Sequence, residues 1–136
     1  MSRSGYSDDY DEVYPLALWR GAVNRAIAGK RGQAFLREMA AALDAMPTKE
    51  LVTESLVTTE GDACAIGSVA LARRMDVSDL DPEDGEEVAH RFGVARAMVL
   101  EIVYENDECG KHGETPAQRW TRMRAWVAAQ LNDAAV

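Results

Sequence analysis

A mainly helical α+β domain is the fold the sequence predicts, with five or six helices and one short antiparallel β-hairpin near residues 51–66. Three observations predict it. Apolar residues recur at three- and four-residue spacing in several separate stretches, the period of a helix with one buried face. Proline and glycine stand where helices begin and end. Residues 51–57, Leu-Val-Thr-Glu-Ser-Leu-Val, form the one convincing β signal, being β-branched and apolar. Because a lone two-stranded hairpin is marginal in water, the helices must pack on it.

Taken in order, residues 1–13 are polar and acidic without periodicity, and read as a disordered tail. Residues 14–132 read as a single compact domain, as the length of 136 residues also suggests. Pro15 suits a first helical turn, after which Leu16, Trp19, Val23 and Ile27 make one face. The stretch 29–32, with glycine at both ends, breaks that helix. A second follows with Phe35, Met39, Leu43 and Met46 on one stripe, and Pro47 ends it. The two are expected to form an antiparallel helical hairpin. Thr58 to Asp62 is turn chemistry with Gly61 free to take positive φ, and Ala63 to Ile66 returns as the second strand. Ser68 to Ala72 then reads as a helix.

Asp81 can cap the next helix with Pro82 at its first position, and Val88 to Ile102 reads as a helix-turn-helix. Ala89 supplies the small residue, Gly93 the turn, and Val94, Val99 and Ile102 the inner face. Residues 105–113 read as a polar loop. Thr115, Pro116 and Gln118 then open a last helix with a capping box, and Trp120, Met123, Val127 and Leu131 form its stripe. Trp126 lies off that stripe.

Charge excludes several functions. The net charge of −8 disfavours binding to phosphate backbones and anionic membranes. Charge is also segregated. Arg20, Arg25, Lys30, Arg31 and Arg37 lie in a stretch with no acidic residue. Seven carboxylates, Asp76, Asp79, Asp81, Glu83, Asp84, Glu86 and Glu87, lie in another with no basic one. No stretch is long and apolar enough to span a membrane, and no apolar leader is evident, so a cytoplasmic protein with reduced thiols is expected.

Chemistry-bearing residues are few. A metal would need Cys64, His90, Cys109 and His112; only Cys109 and His112 are closely spaced, so no metal and no cofactor is expected. Cys64 before a helix is a candidate nucleophile, with His90 or His112 as base and Asn106 or Asp107 as orienter. A small buried side chain at a tight junction is the plainer role. On the second helix of the helix-turn-helix, Ala95, Arg96, Ala97, Leu100, Glu101, Tyr104 and Glu105 would face outward, and Arg96 alone suits a bidentate base contact.

Cys64-Ala65-Ile66-Gly67 at a hairpin end, the later Asn106-Asp107 pair, and a Thr115-Pro116 helix carrying Arg119-Trp120 occur in a telling order. The arrangement is similar to small uncharacterised proteins of bacteriophages and GC-rich prophages, over about residues 15–131. No activity is carried by the resemblance. It implies an accessory phage protein acting in the host cytoplasm.

The expected function is therefore non-enzymatic: binding to a host protein, with inhibition of a host enzyme or defence complex as its mode. Candidate binding residues are Trp126, Asp79, Asp84, Glu86, Glu87, Asn106 and Asp107. Two alternatives stand beside it, a DNA-binding regulator using residues 88–102 and a small enzyme using Cys64. A homodimer is left open.

Overall fold

The computed structural model describes residues 3–4 and 13–132, the side chains of 13–16 excepted. The described residues form six helices: α1 (Val13–Ala28), α2 (Lys30–Ala45), α3 (Ala65–Arg73), α4 (Gly85–Phe92), α5 (Arg96–Glu108) and α6 (Pro116–Gln130). Of the segment expected to be disordered, Arg3 and Ser4 are described and both are buried.

The class is all-α, not α+β, because the expected hairpin does not form. Residues 51–64 fold back on themselves with a single isolated antiparallel bridge, Val57 to Ala63. The turn is present: Gly61 takes φ +90°, and the Thr58 amide donates to the Asp62 carbonyl at 2.7 Å. What fails is the ladder, and its missing partners can be traced. The Leu51 amide donates to the Pro116 carbonyl, and the Leu51 carbonyl accepts from Arg119. The Val52 carbonyl accepts from Asn106, the Glu54 amide donates to Asp107, and the Ser55 carbonyl accepts from Arg3. Glu54 also sits at φ +65°, which breaks the extended run. Distant side chains and the Pro116 carbonyl take up these backbone groups, and across the turn the Val52 amide still donates to the Ala63 carbonyl and the Cys64 amide to the Leu56 carbonyl.

The helices form where their apolar stripes predict. Val23, Ile27, Phe35, Met39, Leu43, Met123 and Val127 are all buried. Burial of each large apolar side chain contributes about 1.5–3 kcal/mol. Only Gly29 separates α1 from α2. Buried Gln33 fastens that joint, donating to the Ile27 carbonyl and to the Gln130 carbonyl of α6. The last helix has the predicted cap: Thr115 accepts from the Gln118 amide, and Gln118 accepts from the Thr115 amide. The start of α4 differs from expectation. Asp84, not Asp81, is its cap, accepting from the Glu87 amide, while Asp81 closes the preceding turn through the Glu83 amide.

Helix α5 is the centre of the molecule, packed against α1, α3, α4 and α6. Met98, Val99, Leu100, Ile102 and Val103 are all buried, so it is apolar on more than one face. It also runs further than the sequence suggests, enclosing residues 105–108, which were expected to be loop.

Candidate functional site

Two regions hold most of the sequence-predicted site residues: the C-terminal end of α5 and the exposed stretch 76–87.

Helix α5 carries Glu101, Glu105, Asp107 and Glu108 toward its C-terminus, with no basic residue in its last turn. Carboxylates are disfavoured there by the negative end of the helix dipole. The fold answers with arginines from three other segments. Arg20 of α1 makes two bonds to Glu101, at 2.8 and 3.2 Å. Arg122 of α6 donates to the Glu105 and Asn106 carbonyls at 2.7 and 3.3 Å, satisfying helix-end acceptors, and its other edge grips Glu114. Arg3 makes a two-pronged pair with Asp107 at 2.6 and 2.8 Å. The Arg3 and Asp107 side chains are only 1% and 6% exposed.

Asn106 is the hinge pin of this region. Its side-chain oxygen accepts from the Ala65 amide at 3.0 Å, at the start of α3. Its amide nitrogen donates to the Val52 carbonyl at 2.9 Å and to Asp107 at 2.8 Å. One buried side chain therefore ties α5, α3 and the 51–57 segment together, using three of its hydrogen-bonding positions. Directly beside it, Gly67 lets α3 approach the same segment: a Cβ there would lie 1.8 Å from the Leu56 carbonyl oxygen. Cys64 is fully buried, caps α3, and accepts from the Gly67 amide at 3.4 Å.

The electrostatics follow from these partners. Burial works against the Arg3 guanidinium, but neighbouring Cys64 and Asp107 outweigh it and hold the charge more firmly than in water. Arg122 holds the Glu114 carboxyl below the usual range. Glu105 moves the other way, raised chiefly by burial. Cys109 is pushed up to about 12 by burial, with nearby Glu105 adding to it.

Stretch 76–87 is the opposite case. All seven carboxylates are exposed. Among the described residues Arg91 is the basic side chain that pairs with them, at 2.6 Å from Asp79 and 3.6 Å from Glu87. Asp84, Glu86 and Glu87 line a shallow open groove with His90. Asp79, on the loop before α4, falls beside this ledge through its bond to Arg91 of the same helix.

Other predicted residues are dispersed. Trp126 is half-buried and packs against the core, the structural role for an off-stripe tryptophan. Arg96 is exposed in the first turn of α5, but the rest of the supposed reading face is not. Leu100 and Glu101 are buried, and Glu101 is paired with Arg20. A major groove needs an open helix face, and α5 offers only its first turn. Among the described residues no three His, Cys, Asp or Glu side chains group as a metal site. Cys64 has Arg3 beside it, and His112 is exposed in the turn that follows Cys109.

The arginine clamps are what sequence reasoning missed. Arg3, Arg20 and Arg122 lie 104, 81 and 17 positions from the residues they hold. One signal was present: four carboxylates in residues 101–108 with no base among them.

Comparison with protein-family models, with curated proteins and with solved structures finds no match. Among the described residues no helix is long and apolar enough to cross a membrane.

Proposed function

We infer that the protein is a non-enzymatic binding protein that docks a basic surface of a partner protein against the acidic ledge of residues 76–87. The single observation carrying this reading is the disposition of charge. Among the described residues, seven exposed carboxylates share the ledge with one pairing arginine. Mutual repulsion of such a cluster disfavours the folded state, and a complementary basic surface relieves it. In line with the resemblance to phage proteins, the partner is a host protein, and the effect is to occupy a basic groove that otherwise serves the host, as an inhibitor does.

The ledge rests on a rigid base. Val77, Leu80 and Val88 beneath it are buried, so the carboxylates are presented without a large ordering cost. Arg25, Lys30, Arg31 and Arg37 are exposed on α1 and α2.

Capture from a host lysate, nuclease-treated and untreated, with wild-type protein beside a variant carrying Glu83→Gln, Glu86→Gln and Glu87→Gln, tests the proposal. A stoichiometric protein retained by the wild type, released by salt and lost on the variant is expected. A partner retained equally by both would place the contact elsewhere. Recovery of nucleic acid alone would overturn a protein-binding role.

A further inference from the structure

The end of α5 also forms a pocket shaped for an arginine side chain. Its floor is Asp107, both of whose oxygens are engaged in a planar, two-pronged pair with Arg3 at 2.6 and 2.8 Å. A guanidinium fits such a fork, whereas an ammonium meets it only as a point charge. One wall is the Ser55 carbonyl, 3.2 Å from the remaining guanidinium nitrogen. Cys64, fully buried, stands beside the same group. The residue following the arginine is also read: the Ser4 hydroxyl donates to Glu108 at 2.5 Å.

The walls are held by bonds that do not involve Arg3. Asn106 fixes Asp107 from one side at 2.8 Å, and the Glu54 amide from the other at 3.3 Å. Asn106 is itself fixed by Ala65 and Val52. Glu54 takes a left-handed backbone, φ +65°, an unfavourable conformation for a residue with a Cβ. The amide it aims at Asp107 is one product of that conformation. A pocket organised by its own framework keeps its shape when its occupant leaves. That is the property of a binding site, and an ordinary ion pair has no need of it.

We propose that this pocket is a recognition site for an arginine followed by a small hydroxyl residue, filled in cis by Arg3-Ser4, and open to the same sequence carried by a partner polypeptide. The site is separate from the acidic ledge and does not depend on the reading given to it. Filling in cis makes the site self-masked: a partner's arginine must displace Arg3, so the resting protein binds weakly and a chain with Arg3 removed binds well. Withdrawal of Arg3 also uncovers Cys64.

The test uses the full chain and a blocked peptide of sequence Ser-Arg-Ser-Gly. Isothermal titration is run on wild type, Arg3→Ala, Arg3→Lys and the double variant Arg3→Ala with Asp107→Asn. In parallel, iodoacetamide labelling of Cys64 is read by peptide mass mapping, which separates it from Cys109. Binding to Arg3→Ala at least tenfold tighter than to wild type is expected, with loss in the double variant. A peptide carrying lysine for arginine should bind at least tenfold more weakly. Cys64 should label faster in Arg3→Ala, less so in Arg3→Lys, and slow again when the arginine peptide is added.

Equal peptide affinity in wild type and Arg3→Ala would overturn the proposal. So would labelling of Cys64 that the peptide does not slow, which would mean that Arg3→Ala merely loosens the fold. Dimer formation by the wild type, lost in Arg3→Ala, would assign Arg3 to the pocket of a second copy and overturn filling in cis.

Discussion

The end of α5 and the ledge at 76–87 are both rich in carboxylates, and the fold treats them in opposite ways. On α5, Glu101, Asp107 and the helix-end carbonyls of Glu105 and Asn106 each meet an arginine drawn from a distant segment. On the ledge, Arg91 pairs with Asp79 and Glu87 of the seven carboxylates. Acid that is buried and met is part of the scaffold, since removing one partner strands the other. Acid that is exposed adds little to stability through ion pairing and remains available to a partner. Composition alone cannot distinguish the two; geometry can.

The strongest way to break this comparison is at Asn106. Asn106→Ala removes the partners of the buried Ala65 amide and the half-buried Val52 carbonyl, and should cost about 3 kcal/mol. Urea unfolding measures it, and a cost under a third of that would mean the region is wetter than its burial indicates. Gly67→Ala comes next. Its Cβ would meet backbone, which cannot swing aside as a side chain would, and a cost of about 3 kcal/mol is expected. A Tm within a degree of wild type would refute the close approach of α3 to Leu56.

The dependence on pH sharpens the contrast. Glu114 is held low by Arg122, so its stabilisation is fully present above the unfolded value near 4.5 and is lost as pH falls through the lower folded value. Glu38, held low by Arg73, has the same sign. Glu105 has the opposite sign: burial raises it, so its ionisation opposes folding as pH rises past the ordinary glutamate value. Acid titration of stability should therefore show a loss below about pH 4.5 that Glu114→Gln flattens. Glu105→Gln should leave the protein at least as stable as wild type at pH 7. A clear loss there would mean that its contact with Arg122 outweighs its burial.

Much of this fold was legible in the sequence. The stripe from Val23 to Ile27, the stripe from Phe35 to Leu43, the turn at Gly93 and the cap at Thr115 all depend on residues within one or two helical turns, and all appear. The hairpin failed for a reason periodicity cannot register. Residues 51–57 have strand-like side chains, but Arg3, Asn106, Asp107, Pro116 and Arg119 claim their backbone groups from far along the chain. The Asn106-Asp107 pair stands out in the sequence, but Val52, Ala65 and Arg3, the partners that make one the pin and the other the floor of a pocket, lie far along the chain. Helices α4 and α5 meet at the turn that the sequence predicts, with Ala89, Val94, Val99 and Ile102 inside. The outer face differs from expectation because Leu100 and Glu101, outward in an isolated pair of helices, are covered in this domain.

The acid at the end of α5 is scaffold and the acid of the ledge is surface. Urea unfolding at pH 7 of two variants side by side tests it most directly: Asp107→Asn, which removes one charge, and the triple change of Glu83, Glu86 and Glu87 to glutamine, which removes three. The single change should lower stability by about 2 kcal/mol, because it breaks charge-assisted bonds to buried Arg3. The triple change should stay within about 0.5 kcal/mol of wild type. A triple variant as destabilised as Asp107→Asn, or an Asp107→Asn variant as stable as wild type, would contradict the account.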